Sequence, residues 1–390
     1  MEVITFCAQN ADVVGVKVKS DLLKTGQIRL KMNFPTPNTK WRDNGNYYDG
    51  KEELRIQTDS FTPKDFVIER EVDNLKYAVM FNSNLAIKDA RNHEKGVFIQ
   101  PSYSSKEWTF TWAFNQKVKD LQKASFDVVR NENESAWQSF WNSGGMIDFG
   151  KVKDERAKEL ERRMVLSMYL TRVNCGGKTP PQETGLTFNS WYGKPHMEIF
   201  WWHGVHFAQW GKPEILEDQL DGYLRNIMGA EAIAKRQGFE GIRWQKMTDP
   251  WGGETASSVG SYLIWQQPHP IYFAEQIYNQ KASKEVLQKY AEVVERTAEF
   301  MADFAYKDPK TEKYILGPGV MPAQERFNPK ETFNPTYELA YWRWGLETAQ
   351  TWRERMGIER NEKWDAVLAD LSPLPIKNGL YLAAESSPDS

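Results

Sequence analysis

The sequence predicts an α+β multidomain protein in which an antiparallel β-sandwich precedes a toroid of helical hairpins. Residues 1–128 carry short alternating apolar runs separated by turns, whereas residues 151–390 carry apolar residues at helical spacing. The length of 390 residues is sufficient for two domains with separate cores. Residues 129–150 are expected to link the two domains.

The first 128 residues are predicted to form strands with no helices between them. Apolar and polar residues alternate in these runs, as they do in a half-buried strand, and turn-forming residues such as those at 44–46 separate the runs. Six or more strands in succession favour an antiparallel sandwich. The predicted strands lie at residues 28–32, 54–56, 66–68, 77–81, 96–99 and 108–114.

After residue 150 the apolar residues recur at intervals of three and four, as an amphipathic helix requires. Long connections rich in Gly, Pro and Trp separate these stretches, and ordered loops of such length are commonly functional. A toroid of hairpins, with its site built from the connections, is the natural architecture. The predicted helices lie at residues 154–173, 213–237, 282–304 and 335–354.

Composition excludes several classes of partner. The net charge is −3 with no basic stretch, which argues against nucleic acid. The mean hydropathy is −0.66, and no apolar run approaches the roughly 18 residues of a membrane span. Cys7 and Cys175 are predicted to be free thiols. A periplasmic or secreted location is slightly favoured over the cytoplasm, and a homodimer is left open.

The segment from Trp191 to Trp210 is unusual, because it holds four tryptophans and three of the five histidines. Aromatic rings stack on the C–H faces of sugars, and polar side chains beside them bind hydroxyl groups. The segment therefore predicts a carbohydrate ligand. Three further polar-aromatic loops, at 239–254, 265–269 and 316–329, are expected to line the same mouth of the toroid.

Glycoside cleavage needs a carboxylic acid that protonates the leaving oxygen and a second carboxylate or an external anion. Glu325 is the best candidate for the acid, since it follows a Gly/Pro-rich loop that can hold a carboxyl group at a cleft edge. The alternative is an exposed glutamate paired with Arg326. Glu198 and Glu254 are other candidates, and for both a helix cap or a loop salt bridge is an equally good interpretation.

A metal or nucleotide cofactor is not predicted. His203 and His206 share a helix face, and with His196 and Glu198 they could form a zinc site, but H-E-x-x-H is absent and no cysteine joins the set. Sugar binding or core hydrogen bonding is favoured. The sequence has no G-x-S-x-G, G-x-G-x-x-G or Walker A motif, so neither a serine triad nor a bound nucleotide is indicated.

Four blocks in order resemble glycoside hydrolase family 65 and its relatives in the six-hairpin (α/α)6 glycosidase group. The resemblance covers residues 130–390 by motif and the remainder by architecture only. In the last block, the general acid of the family falls on Glu325. The blocks are WYGKPHMEIFWWHGVHFAQWGKP, AEAIAKRQGFEGIRWQKMTDPWGGE, QQPHPIYFAEQIY and LGPGVMPAQERFNPKETFNPTYELAYWRWGLETA.

The resemblance implies an inverting glycosidase that acts on α-linked, glucose-containing oligosaccharides. The chain departs from the phosphorylases of the family at Lys194–Glu198, where they carry F-W-D-T-E, and at Ala323–Arg326, where they carry Asp-Glu-Tyr. Both departures favour the hydrolytic branch. The residues implied to bind the sugar are Trp191, Lys194, His196, Glu198, Trp202, His203, Trp244, Lys246, Glu254, Gln324 and Arg326.

Members of the family continue beyond the acid and supply a catalytic base or a phosphate-binding loop there. We therefore expect a fragment whose toroid is truncated at its C-terminus, with Glu385 disfavoured as a substitute base. An inverting α-glucoside phosphorylase and a non-catalytic carbohydrate-binding domain stay open as alternatives. A polysaccharide lyase is a further alternative, but Glu198 and Glu254 argue against an anionic substrate.

Overall fold

The chain is divided into two compact units, Met1–Ser143 and Gly144–Ser390. The computed structural model describes residues 1–36, 38–43, 45, 53–57, 62–72, 75–93 and 96–388. The predicted turn at residues 44–46 lies largely outside the described residues. Each unit has its own hydrophobic core, so each is described separately.

Antiparallel strands make up most of the first unit. A six-stranded sheet has the order β1-β2-β10-β7-β6-β5, and a three-stranded sheet has the order β3-β9-β8. The strands are β1 (Glu2–Cys7), β2 (Val13–Lys19), β3 (Leu30–Asn33), β4 (Arg42–Asp43), β5 (Glu53–Gln57), β6 (Asp65–Val72), β7 (Leu75–Ser83), β8 (Ile87–His93), β9 (Gly96–Pro101) and β10 (Glu107–Asn115).

Both sheets contribute side chains to one apolar cluster, as the two layers of a sandwich do. Phe66, Phe81 and Trp108 come from the larger sheet, whereas Ile99 comes from the smaller one. The strand register places Phe66 directly opposite Phe81, with ring centroids 5.2 Å apart. The predicted N-terminal antiparallel region is therefore confirmed.

A helix, α1 (Phe126–Asn142), occupies much of the segment predicted as a linker. The hydroxyl of Ser125 caps it by accepting a hydrogen bond from the Val128 amide at 3.3 Å. Phe126 and Val129 are buried, and the helix packs against β1 and β2. This segment belongs to the first unit because its apolar face covers the larger sheet.

The second unit is built from helices joined by long connections. All four predicted helices occur, but the one at 213–237 is two helices separated by Asn226, and the second ends at Gly238 with a left-handed φ of 86°. The helices are α2 (Arg156–Cys175), α3 (Phe200–Gln209), α4 (Pro213–Arg225), α5 (Ile227–Gln237), α6 (His269–Gln280), α7 (Lys284–Phe304), α8 (Thr336–Arg355) and α9 (Glu362–Asp370). Short strands are β11 (Asn189–Ser190), β12 (Tyr306–Lys307), β13 (Tyr314–Ile315), β14 (Ile376–Lys377) and β15 (Leu380–Tyr381).

Neighbouring helices pack in pairs around an aromatic core. α3 contacts α4, α6 contacts α7, and α7 contacts α8. Phe200, Tyr223, Phe273 and Trp342 are fully buried between them, and Trp342 Nε1 donates to Met301 O at 2.7 Å. The helical domain is thus confirmed, whereas closure into a toroid stays a prediction.

Helix character and the two cysteines relate to the predictions that were made from composition. Among the described helices, none has both the length and the apolar character needed to cross a membrane. Cys7 is exposed and Cys175 is buried, and both are free thiols in different units.

We expect Trp342→Ala to lower the free energy of unfolding by about 3–5 kcal/mol, because it removes a fully buried ring and its bond to Met301. Urea denaturation followed by circular dichroism would measure the loss. Trp251→Ala is the matched control, since that ring is 61% exposed and its removal should cost less than about 0.5 kcal/mol. Equal losses in the two variants would contradict the assigned core.

Candidate active site

A buried lysine joins two carboxyl groups from different loops. Lys246 Nζ lies 3.2 Å from Glu198 Oε1 and also contacts Glu325 Oε1. The side chains of Lys246 and Glu198 are 4% and 7% exposed, whereas that of Glu325 is 32% exposed. One ammonium neutralises one carboxylate, so a proton on the other carboxyl group would balance the charge of the cluster.

Backbone pairing sets Glu198 beside Lys246. The chain before α3 runs antiparallel to the chain after α5, with a bridge between His196 and Met247. Lys246 O accepts hydrogen bonds from the amides of Met197 and Glu198 at 2.9 and 3.3 Å. The two side chains are therefore placed by main-chain contacts on either side of them.

Buried side chains fix the segment that carries Lys246. Gln267 Oε1 accepts from the Trp244 amide at 2.8 Å, and Gln267 Nε2 donates to Ile242 O at 2.7 Å. The Arg243 guanidinium donates to Trp244 O at 2.8 Å and also to Leu263 O. Buried polar groups need such partners, so this network holds residues 242–246 in one conformation.

Glu325 stands on a tight turn. Its amide donates to Pro322 O at 2.9 Å, and its φ is 55°, a left-handed value that is uncommon for any residue except glycine. The Met321 amide, just before the turn, donates to Tyr262 O at 3.0 Å. Strained residues of this kind persist only where their surroundings hold them, and they concentrate at functional sites.

Glu198 titrates near neutrality. Burial raises its pKa to about 7, although the Lys246 ammonium opposes this shift; the charge of Glu325 raises it further. The buried ring of His269 lies with Nε2 3.0 Å from Glu198 O and fixes the backbone there. Carboxyl groups in contrasting environments are typical of acid–base sites.

His196 is a neutral neighbour of the cluster. Its Nδ1 accepts from the Ile199 amide at 3.4 Å, which leaves the proton on Nε2, 3.7 Å from both Glu198 and Glu183. Burial, followed by the charge of Lys246, lowers the pKa of His196 to about 3. The ring therefore carries no charge at neutral pH and presents an N–H group to the two carboxylates.

The structure thus brings together five of the residues that the sequence selected, namely Trp191, His196, Glu198, Lys246 and Glu325. The Trp191 ring centroid lies 5.3 Å from Lys246 Nζ, which is cation–π range, and Trp191 Nε1 donates to the carboxylate of Glu183. Aromatic, imidazole, carboxyl and ammonium groups therefore meet at one place.

Two predicted residues lie elsewhere. Trp244 is in the hydrophobic core, 3% exposed, and its Nε1 donates to Thr297 Oγ1 at 2.9 Å, so its ring presents no face to a sugar. Glu254 forms a salt bridge of 2.5 Å with Arg236, the alternative that the sequence left open. Glu254 and Lys246 both line a cavity of about 330 Å³.

An exposed indole extends the aromatic surface. Trp202 is 54% exposed, and its ring lies 5.6 Å from that of Trp265 in a T-shaped contact. His203 lies one residue further along α3, and burial lowers its pKa. Trp202 thus presents a ring face to solvent beside a buried Trp265.

The remaining predicted residues have separate surroundings. Lys194 Nζ donates to Ala256 O at 2.6 Å and lies 5.1 Å from the Tyr192 ring centroid. Gln324 and Arg326 are exposed on either side of Glu325. The structure therefore keeps these three side chains at the surface of loops that adjoin the cluster.

Three residues of the site were missed. Trp265 lies close enough to Glu198 to favour its ionised form, and its membership of a polar-aromatic loop was a usable signal. Glu183 accepts from Trp191, and buried Glu338 accepts from the Ala323 amide. No sequence pattern distinguishes these two glutamates from solvated ones.

The candidate zinc ligands His196, Glu198, His203 and His206 all lie among the described residues. Within the described part of the chain, no group of three or more His, Cys, Asp or Glu side chains is arranged to hold a metal ion. His196, His203 and Glu198 accordingly have no shared metal geometry.

Comparison with known proteins gives a match of fold alone. No family model matches the chain, and no curated protein matches it. Among solved structures, 31 chains match, including one titled "Putative kojibiose phosphorylase from human microbiome". The TM-score with that structure is 0.67 at 12% identity, over 98% of this chain and 53% of the other.

The chain therefore spans about half the length of the structure that it matches. The likeness shows that the chain shares its fold with that part of the other structure. It agrees with the β-rich first unit and the helical second unit described above.

Lys246→Met should destabilise the protein by about 3–5 kcal/mol at pH 8, because it leaves a buried carboxylate without its cation. The raised pKa of Glu198 rises further without the lysine, so at pH 5 this group is protonated and the cost shrinks. Thermal melting at both pH values would show a gap from the native protein that widens as pH rises. Lys330→Met, at an exposed position, should show no such trend, and a gap independent of pH would contradict the assignment.

Proposed function

We propose that this chain supplies the general acid of an active site that cleaves α-linked, glucose-containing oligosaccharides with inversion. Glu325 is the general acid. The observation that supports this role is the contact of its partly exposed carboxyl group with Lys246, which also holds the buried Glu198. An acid must reach the glycosidic oxygen and also be held in place, and Glu325 meets both requirements.

Accessibility favours Glu325 over Glu198 as the acid. The Glu198 side chain is 7% exposed, whereas that of Glu325 is 32% exposed. A glycosidic oxygen therefore has easier access to Glu325. Glu198 instead serves as the second partner of Lys246.

Spacing excludes Glu198 as the opposing base. Inverting pairs lie roughly 6.5–9.5 Å apart, to leave room for a water molecule. Both Oε1 atoms contact the same Nζ, so they are closer to each other than that. Glu385 is also occupied, because it accepts a hydrogen bond from Asn334 Nδ2 at 2.6 Å. The proposal therefore assigns the second half of the reaction to a group outside this cluster.

The sugar is proposed to bind against Trp191, His196 and Trp202, with Lys194, His203, Gln324 and Arg326 at the edge of the site. The exposed ring of Trp202 and the partly exposed ring of Trp191, which lies beside the buried His196, support this placement. The helices of the second unit are proposed to be part of an (α/α)6 toroid. Their packing in neighbouring pairs and the fold likeness support that architecture.

A phosphorylase is the second candidate, since the matched structure is titled as one. The two reactions share the acid and differ in the nucleophile, which is water in one and phosphate in the other. Assays with and without inorganic phosphate separate them. Release of free glucose alone indicates a hydrolase, and a phosphate-dependent sugar phosphate indicates a phosphorylase.

Glu325→Gln should reduce cleavage of kojibiose or maltose by at least about 100-fold while leaving binding intact, since the amide cannot supply the proton. Product analysis measures turnover, and calorimetry measures binding. Glu331→Gln, at an exposed position of the same loop, is the control and should keep full activity. Full turnover by the Glu325 variant would remove it from the role. Binding without turnover by the unmodified protein, in either buffer, would instead favour a carbohydrate-binding domain.

A further inference from the structure

A second buried carboxyl group lies beneath the loop of Glu325. Glu338 is the third residue of α8 and is 1% exposed. Its Oε1 accepts a hydrogen bond from the Ala323 amide at 3.0 Å. A glutamate is rarely buried to this degree without a specific partner, because taking the carboxyl group out of water is costly.

The contact acts on the backbone that carries the acid. Ala323 lies inside the turn from Pro322 to Glu325, which the Glu325 amide closes with a bond of 2.9 Å to Pro322 O. The left-handed φ of Glu325 is strained for a residue that carries a side chain, so the turn needs support from outside. The Ala323 amide is the point at which α8 supplies it.

We propose that Glu338 is a positioning residue, whose buried carboxyl group holds the 322–325 turn so that Glu325 is directed at Lys246 and at the scissile oxygen. This inference rests on the proposed role of Glu325. Among the described residues, Glu338 forms no hydrogen bond or salt bridge with Lys246 or Glu325. Its carboxyl group is linked to the turn through the Ala323 amide.

The bond survives either protonation state. Burial raises the pKa of Glu338 to about 7, against the effect of its own amide and that of Ala323. An oxygen of a carboxylate accepts the Ala323 N–H, and so does the carbonyl oxygen of a neutral carboxyl group. Glutamine offers the same acceptor, whereas alanine offers none. Ala323 is exposed, so its freed amide can turn to water and the turn can loosen without unfolding.

The test compares leaving groups. Glu338→Ala should lower kcat on kojibiose or maltose by ten- to a hundredfold with little change in KM, since a displaced acid affects the transition state more than binding. On a 2,4-dinitrophenyl α-glucoside, whose leaving group departs without protonation, the loss should be below about threefold. Glu338→Gln should restore most of the activity on the disaccharide. All assays are run with and without phosphate.

Controls separate this role from general stability. Glu347→Ala removes an exposed glutamate of the same helix and should leave both substrates unaffected. If Glu338→Ala does not fold, Glu338→Asp supplies the comparison, because it withdraws the acceptor by one methylene group. Equal losses on both substrates, or no rescue by glutamine, would overturn the positioning role. Glu325→Gln is assayed in parallel: an absence of leaving-group dependence there would overturn the role of Glu325 and this inference with it.

Discussion

The contact of one ammonium group with two carboxyl groups is the constraint on which the site depends. Glu198 and Glu325 come from loops that are far apart in sequence, and side by side they would repel if both were ionised. Lys246 makes their approach favourable, because its Nζ contacts both. In turn, the buried ammonium needs these partners and the Trp191 ring, since an unpaired buried charge is very costly.

The residues of this cluster lie on loops, but the polar groups of these loops are buried and hydrogen-bonded as they are in a protein core. The segment with Lys246 pairs with the chain before α3, and Gln267 and Arg243 satisfy its backbone from the other side. The turn with Glu325 is tied to Tyr262 and Glu338. A site formed between helix ends can therefore be as rigid as the helices, because its buried polar groups are paired.

The spacing of apolar residues predicted long helices that bury a single face, such as α7, but it did not predict α3 or α9. α7 has a long amphipathic pattern, whereas α3 is aromatic on several sides and α9 spans only nine residues, too few to display a period. Composition selected three loops whose side chains meet at Lys246 in the structure, but not every side chain that it selected lies there. Trp244 and Trp191 stand in similar sequence surroundings, and only tertiary packing sends one to the core and the other to the cluster. The sequence did not identify Glu338 as a site residue either, because its hydrogen-bond partner, Ala323, lies on another segment.

The shared lysine also bears on how an acid could work at this position. In the proposed reaction, Glu325 becomes an anion when its proton passes to the leaving oxygen. A carboxylate formed next to buried groups would be unstable without a nearby cation, but Lys246 is already in contact with it. Burial places the pKa of Glu198 near 7, so this group can be ionised and paired with the lysine while Glu325 still holds its proton. The arrangement therefore keeps at least one carboxylate paired with the lysine before and after proton transfer, which a single glutamate–lysine pair could not do.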